Sequence, residues 1–247
     1  MKNRLLHIII LLAALAIGLA GETPEALILK GDELYARRGE PGLAAQALAK
    51  YQEALALAPG SVSVMAKNLQ AMFFIGDNSP ANGDKQRIFK AAMELSRKAA
   101  AMHPDRVEGH YWLGVHTGSY GQARGVLKSL FLKNDIIRAM NKAIAIDGAY
   151  ENGGAYCVLG RLYFKVPGLF GGSNKKSRRF HETCRQLAPR RSNNLLFMAE
   201  TYWALDEEEL AIKTLEELQT MEPDPLWLPE TEKDKQAGAR LLQRYKK

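Results

Sequence analysis

This chain has few cysteines and none of the common catalytic signature motifs. Its 247 residues include two cysteines, and neither follows the N-terminal apolar run, so no lipid-modified N-terminus is expected. The sequence has no HExxH, CxxC, Walker A, GxSxG or GxGxxG pattern. His110 and His116 are six residues apart and face different sides of a helix, unlike the i, i+4 pair of a zinc-binding helix. These absences disfavour an enzyme and predict no catalytic residue, no cofactor and no metal site.

Long hydrophobic runs are also lacking, except at the N-terminus. Lys2 and Arg4 precede an uncharged apolar run that is short for a membrane-spanning helix. Within it, Gly18 and Ala20 have the small-residue spacing of a signal-peptidase site. Residues 1–21 are therefore predicted to be a signal peptide, with an uncleaved N-terminal anchor as the alternative.

Positive charge predominates without the pattern of a nucleic-acid-binding protein. Lys and Arg number 34 against 27 Asp and Glu, which gives a formal net charge of +7. The basic residues are not interleaved with aromatic residues, and the acidic run Asp206–Glu209 shows that charge is segregated by region. We expect a solvated charged surface and no nucleic-acid partner.

The last third of the chain carries a clean helical repeat. Eight positions have the spacing of a tetratricopeptide (TPR) unit, in which two antiparallel helices pack through small and large residues before a proline ends the second helix. They are Leu195, Met198, Ala199, Tyr202, Ala211, Leu215, Leu218 and Pro223. A solenoid of such hairpins is typically a binding scaffold.

The same hairpin ending recurs four times earlier in the chain. It falls at Pro59, Pro104, Gly148 and Pro189, so successive endings up to Pro223 are 45, 44, 41 and 34 residues apart. Only the last interval matches the TPR length. The earlier copies must therefore have longer helices or insertions.

These repeats predict an all-α fold, a TPR-like array of about five helical hairpins. The array is predicted over residues 22–225. Residues 226–247 are predicted to form a C-terminal capping helix, because a solenoid must cover its last core. The first helices of the earlier hairpins are predicted at Ala26–Arg38, Val62–Ile75, Val107–Ser119 and Gly154–Phe164.

The densest aromatic cluster lies in the third hairpin. It consists of His110, Tyr111, Trp112, His116 and Tyr120. One interpretation is that these residues line a ligand cavity. The alternative is that they are core residues between helices, as aromatic residues at helical spacing usually are.

The turn of the fourth hairpin is long and rich in glycine. Gly171 and Gly172 precede Ser173 at a predicted helix start, and Lys175 and Lys176 follow. In one interpretation, backbone N–H groups and the two lysines bind an anion. In the alternative, Ser173 only caps the helix and the glycines allow a tight turn.

The two cysteines, Cys157 and Cys184, fall on the two helices of the fourth hairpin. An oxidising compartment favours a disulfide between them. The alternative is packing as small buried hydrophobic residues, since Cys184 occupies a position where the TPR pattern needs a small side chain.

Several short motifs occur in a fixed order between residues 108 and 223. They are Glu108–Gly114, Arg124–Gly125, Gly153–Tyr156, Leu159–Tyr163, Pro167 and Gly171–Gly172. As an ordered set they resemble the T-component family of TRAP transporters. The members of that family are TPR-like helical proteins of the bacterial periplasm. The resemblance implies a periplasmic location, a solute-binding receptor as protein partner, and a homo-oligomer. It implies no catalytic role for these motifs.

The expected function is that of a non-enzymatic periplasmic protein that binds a solute receptor and assists ligand transfer to a TRAP-type permease. Contact with the membrane is expected only through an uncleaved N-terminus. The alternative is a general cell-envelope scaffold for protein–protein interaction that is not tied to transport.

Overall fold

The computed structural model describes residues 22–125 and 129–246. Within these ranges the chain forms eleven α-helices and two single-turn 3-10 helices, with no strand, so the all-α prediction is confirmed. The 3-10 helices are Gly168–Phe170 and Pro225–Trp227. The α-helices in chain order are α1 (Pro24–Ala36), α2 (Leu43–Leu57), α3 (Val62–Asn78), α4 (Asn82–Met102), α5 (Val107–Arg124), α6 (Lys133–Asp147), α7 (Tyr150–Lys165), α8 (Asn174–Leu187), α9 (Ser192–Trp203), α10 (Glu208–Thr220) and α11 (Leu228–Tyr245).

Consecutive helices pack as five hairpins that stack in chain order. The hairpins are α1/α2, α3/α4, α5/α6, α7/α8 and α9/α10, and each second helix also packs on the first helix of the next hairpin. Most contacts therefore join neighbours along the chain, as expected of a solenoid. The fold agrees with the predicted TPR-like array.

Glycine allows close approach between helices at several positions, of which Gly109 and Gly160 are examples. At Gly109 in α5, a Cβ would lie 2.3 Å from the backbone nitrogen of Ala100 in α4. At Gly160 in α7, a Cβ would lie 2.7 Å from the ring of His181 in α8. Glycine inside a helix costs about 1 kcal/mol relative to alanine. Here the close helix contact offsets that cost.

Several helix boundaries differ from the predicted ones. α1 spans Pro24–Ala36 instead of Ala26–Arg38, and α5 continues to Arg124 instead of ending at Ser119. α3 continues to Asn78 instead of ending at Ile75, because the side chains of Asn78 and Ser79 donate hydrogen bonds of 2.8 Å to the carbonyls of Phe74 and Ile75. These bonds satisfy the last carbonyls of the helix. The span of α7 starts at Tyr150, but Glu151, Asn152 and Gly153 have left-handed backbone angles, so the regular right-handed helix begins at the predicted residue, Gly154.

Of the four buried apolar clusters among the described residues, two are extensive. The larger one lies between α3 and α7 and includes Trp112, Met140 and Leu159, all buried. The second lies between α9, α10 and α11, where Tyr245 stacks on Trp203 with ring centroids 3.7 Å apart. α11 therefore covers the end of the last hairpin.

The predicted signal or anchor segment lies outside the described residues. Among the helices that the structure describes, none combines the length and the hydropathy needed to cross a bilayer.

Candidate functional site

The helix α11 bridges both ends of the array. Its Glu230 pairs bidentately with Arg38, just after α1, at 2.9 and 2.6 Å. Its Lys233 pairs with Asp77 of α3. Farther along, its Asp234 accepts a hydrogen bond of 2.7 Å from Ser192 of α9. α11 thus contacts the first, the second and the last hairpin of the array.

The pairing of Arg38 with α11 is almost completely buried. The side chain of Arg38 is 2% exposed. Its guanidinium lies 4.7 Å from the ring centroid of Tyr35, 5.5 Å from that of Phe74 and 5.7 Å from that of Trp227. Arginine stacks well on aromatic faces because its charge is delocalised and weakly hydrated. The contact therefore holds α11 against the first hairpin.

The first turn of α7 contains a left-handed stretch of backbone. Glu151, Asn152 and Gly153 have φ angles of 49, 55 and 68°. This conformation costs about 1–2 kcal/mol for each of the two non-glycine residues, Glu151 and Asn152. Arg191 compensates by donating from one guanidinium nitrogen to the carbonyls of Glu151 and Asn152. A single arginine thus ties this strained turn to the start of α9.

The carboxyl group of Glu151 lies in the same region. Burial raises its pKa above the ordinary value, and the nearby charges of Arg191 and Lys67 oppose that rise. Because Lys67 is in α3 and Arg191 precedes α9, the turn brings charged groups from distant hairpins together. The region is polar and partly open to solvent, since Glu151, Lys67 and Arg191 are all only partly buried.

The aromatic cluster divides between the core and the surface. Tyr111, Trp112 and His116 are buried in the larger core, and the rings of Trp112 and His116 are 5.5 Å apart. His116 lies against the carbonyl of Trp112 at 2.8 Å, and burial lowers its pKa to about 4. These three residues therefore lie in the core between the helices.

The other two residues of the cluster lie outside the core. Tyr120 is half-buried, with the guanidinium of Arg124 5.4 Å from its ring centroid. His110 is near the surface, and its Nε2 lies 3.0 Å from the carbonyl of Pro104. The five residues therefore do not surround one cavity. Of the five, His110 belongs to the lining of the open cleft between α4, α5 and α6.

The glycine-rich turn of the fourth hairpin is arranged as a helix cap. The Oγ of Ser173 accepts a hydrogen bond of 3.3 Å from the N–H of Lys176. The N–H groups of Gly171 and Gly172 donate to carbonyls earlier in the turn, and that of Ser173 donates to the carbonyl of Tyr163 in α7. An anion therefore finds no free backbone N–H at these three residues, although Lys175 and Lys176 are exposed. The geometry favours capping over the predicted anion site.

An apolar tip projects from two neighbouring loops. Leu169 and Phe170 of the 3-10 helix are 91% and 48% exposed, and Phe131 before α6 is 87% exposed. The Nζ of Lys133 donates to the carbonyl of Phe170 at 2.6 Å and so ties the two loops together. Phe131, Leu169 and Phe170 are referred to below as the apolar tip.

The two cysteines are buried free thiols on facing helices. A hydrogen bond with Cys184 lowers the pKa of Cys157, and the same contact with burial raises the pKa of Cys184. Nearby, the Nδ1 of His181 lies 2.7 Å from the Oδ1 of Asn194. The thiols are therefore neighbours in a packed interior. The disulfide stays a prediction.

A basic cleft of about 580 Å³ opens between α4, α5 and α6. Its floor is largely apolar and includes Leu113 and Ala139. Its rim carries Arg97, Arg138 and Lys142, all exposed. Arg138 pairs with Asp135 on its own helix, whereas Arg97 and Lys142 form no ion pair with any described residue. The cleft therefore carries unneutralised positive charge.

An acidic surface lies at the turn between α9 and α10. Asp206, Glu208 and Glu209 are exposed and form no ion pair within the described part of the chain, while Glu207 pairs with Arg178. Leu210, beside them, is 37% exposed. These residues line an open concavity together with Arg178 and Lys213.

The contacts of α11 and the basic cleft were not predicted. Arg38 and Glu230 are 192 positions apart, and no local pattern marks them as partners. The acidic run was visible in the sequence, but the cleft combines residues of three helices. Within the described ranges, no group of three or more His, Cys, Asp or Glu side chains has an arrangement that could hold a metal ion.

Comparison with known proteins identifies a family and a fold. The sequence model of one family, described as RMD1-3: Regulator of microtubule dynamics protein 1-3, matches residues 27–246. No curated protein matches the sequence significantly.

Experimental structures of TPR proteins are similar in fold. The TPR protein TTC0263 of Thermus thermophilus superposes with a TM-score of 0.67 at 16% identity, covering 88% of this chain and 100% of that one. The pilF protein of Pseudomonas aeruginosa gives 0.50 at 18% identity, covering 87% and 92%. At these identities the similarity shows the fold alone.

Proposed function

The chain belongs to the RMD1-3 family, and from this membership and its TPR-like fold we propose that it is a non-enzymatic scaffold that binds a protein partner. Helical-repeat arrays of this kind present extended surfaces to partners. The observation that carries the proposal is the apolar tip, because large exposed apolar side chains grouped together mark interaction sites.

The surroundings of the apolar tip define the chemistry of the partner. Lys165 precedes the 3-10 helix, Lys175 and Lys176 follow it, and all three are exposed. Lys133 lies at the centre of the two loops. An apolar surface with a basic rim fits a partner that has an apolar pocket with an acidic rim. The tip is formed by the loops after α7 and before α6, so the partner binds at these loops.

Site-directed photo-crosslinking tests this surface. A photoreactive residue at position 131, 87% exposed in the same tip, should form one defined crosslink to a protein partner, and Leu169→Ser with Phe170→Ser in the same chain should abolish it. Leu29 and Leu57 supply the control, because they are 63% and 57% exposed but lie on the first hairpin. A partner that crosslinks equally from position 29, or that still binds the double variant, contradicts the proposal.

The partner that we favour is the solute-binding receptor of a TRAP-type transporter. The ordered motifs between residues 108 and 223, which resemble the T-component family, support this choice. The apolar N-terminal segment supports the periplasmic location that it requires. A purified receptor from a neighbouring gene should bind the chain, and deletion of the chain should reduce solute uptake. No binding together with normal uptake rejects this partner.

A second candidate partner is the microtubule. The family description names microtubule dynamics, and the match extends over residues 27–246. The formal net charge of +7 is compatible with an acidic partner surface. Co-sedimentation with polymerised tubulin tests this candidate, with unpolymerised tubulin as the control. A chain that stays in the supernatant at low salt excludes it.

A further inference from the structure

The basic cleft runs between α4 and α6 along one side of α5. Both of these helices pack on α5. Leu113 of α5 and Ala139 of α6 supply the apolar floor, while Arg97 of α4 and Lys142 of α6 stand on opposite walls. The lining extends along α5 over His110–Thr117, which is about 10 Å at the rise of an α-helix. The cleft therefore has the length of a small organic molecule.

The register of α4 against α5 sets the position of Arg97 along the cleft. Gly109 of α5 contacts the backbone of Ala100, and the side-chain amide of Gln86 donates to the carbonyl of Ala123 at 2.9 Å. These two contacts show that α4 runs antiparallel to α5. Counting along both helices from either contact brings Arg97 to the level of position 112.

The register of α6 brings the second cation to the same level. Met140 contacts Gly114, and Ile136 contacts Gly118, so α6 also runs antiparallel to α5. Counting from either contact places Lys142 at the level of position 112. The cleft therefore has one long cationic side chain on each wall at a single point along its length.

The other end of the cleft has no net charge. There Arg138 pairs with Asp135 on its own helix at 3.1 Å. Arg97 and Lys142 form no ion pair with any residue that the structure describes. The cleft is therefore cationic at one end, and its apolar floor leads from there toward the neutral end.

We propose that the basic cleft binds a small amphipathic organic anion, a carboxylate or sulfonate joined to an apolar body. The anionic group lies between Arg97 and Lys142, and the apolar body covers Leu113 and Ala139. Cationic donors on both sides hold the anionic group, and contact with the floor removes apolar surface from water. A volume of about 580 Å³ is in the range of small-molecule sites. The site shares no residue with the apolar tip, so it is a second function beyond partner binding.

Three probes separate the contributions of charge and apolar surface. Naphthalene-2-sulfonate combines an anionic group with an apolar body, 2-naphthol has the same body without charge at neutral pH, and inorganic sulfate is the anion alone. Titration calorimetry should show one bound naphthalene-2-sulfonate per chain and binding of the other two that is at least about tenfold weaker. No saturable binding of naphthalene-2-sulfonate at millimolar concentration, or equal binding of 2-naphthol, overturns the proposal.

Charge reversal and charge-conserving exchange test the two cations. R97E/K142E should bind naphthalene-2-sulfonate at least about tenfold more weakly, because carboxylates then face the sulfonate. R97K/K142R keeps both charges and should bind within about threefold of the wild type. Both positions are exposed, so unchanged circular dichroism and melting temperature confirm folding. Wild-type affinity in R97E/K142E contradicts the site.

A matched control and a local readout exclude general electrostatics and binding elsewhere. Lys90 and Lys98 are exposed on α4 outside the cleft lining, and K90E/K98E has the same change in net charge as R97E/K142E. K90E/K98E should bind like the wild type. In methyl NMR spectra, naphthalene-2-sulfonate should shift the signals of Leu113 and Ala139 but not that of Leu169. Equal weakening by K90E/K98E, or shifts at Leu169 without shifts at Leu113, rejects the cleft as the site.

Discussion

At the scale of single residues, close packing decides what each position tolerates. Gly172 shows this most clearly, because a Cβ there would lie 1.6 Å from the carbonyl oxygen of Val166. At Gly168, four residues earlier, a Cβ would meet no atom within 4 Å. The two glycines look alike in the sequence, so only the structure distinguishes them.

Gly172→Ala should destabilise the protein by about 2–3 kcal/mol, since the loop must shift to relieve the clash. Gly168→Ala should change the free energy of unfolding by less than about 0.5 kcal/mol. Urea unfolding followed by circular dichroism measures both. Equal effects of the two substitutions would show that the turn is not packed as described.

His116 should make stability depend on pH. Burial lowers its folded pKa to about 4, whereas the unfolded value is near 6.5. The unfolded chain thus binds the proton more readily, so the contribution is present above pH 6.5 and is lost as the pH falls toward 4. Between pH 7.5 and pH 5 the loss should be about 2 kcal/mol.

Urea unfolding at the two pH values measures this dependence. His116→Phe should reduce the difference in unfolding free energy between pH 7.5 and pH 5, whatever its effect on absolute stability. His110→Phe, at the surface, serves as the control and should keep the wild-type difference. A wild-type pH dependence retained in His116→Phe would contradict the buried neutral histidine.

At the scale of elements, α11 is held by contacts that respond to pH. Asp234 is packed against Ser192, and burial raises its pKa to about 7. Lys233 opposes the rise, and Glu230 and Cys157 add to it. Because the docked pKa lies above the ordinary value of 3.8, the stabilisation is complete at acid pH and is lost as the pH rises through about 7.

Hydrogen exchange of α11 tests this dependence. After correction for the intrinsic exchange rate, the protection of α11 relative to α9 should fall between pH 6 and pH 8. Asp234→Asn keeps the hydrogen bond with Ser192 and should remove the fall. A decrease of equal size in the Asn variant would assign the pH dependence to another group.

The local sequence pattern predicted where the hairpins lie but did not predict the backbone conformation at the start of α7. The helical period and the proline-terminated endings are properties of neighbouring residues, so α9 and α10 were placed correctly from Leu195 to Pro223. The left-handed start of α7 was missed. Glu151 and Asn152 have no local reason to adopt positive φ, and the turn persists because Arg191, some forty residues later, binds its carbonyls.

At the scale of the whole molecule, α11 links the first hairpin to the last. Glu230→Ala leaves the guanidinium of Arg38 buried without its carboxylate and should lower the free energy of unfolding by about 2–3 kcal/mol. This loss is somewhat smaller than for breaking a fully buried pair, because Glu230 is 28% exposed. Glu40→Ala removes an exposed pair with Arg37 and should cost less than about 0.5 kcal/mol.

Unfolding free energies and small-angle X-ray scattering distinguish these variants. The radius of gyration should increase in Glu230→Ala, because α11 loses its hold on the first hairpin, and should not change in Glu40→Ala. Similar values for the two variants would mean that the pairing with Arg38 does not hold the ends together.

The all-α class, the five hairpins and the helix after them can be read from the order of the amino acids alone, because helical period and helix termination depend on residues within a few positions of each other. The candidate site depends mostly on how the chain packs. The bridge from Arg38 to Glu230, the basic cleft on three helices, and the separation of Trp112 from His110 all depend on how hairpins stack. Such contacts join residues far apart in the chain, and no periodicity encodes them.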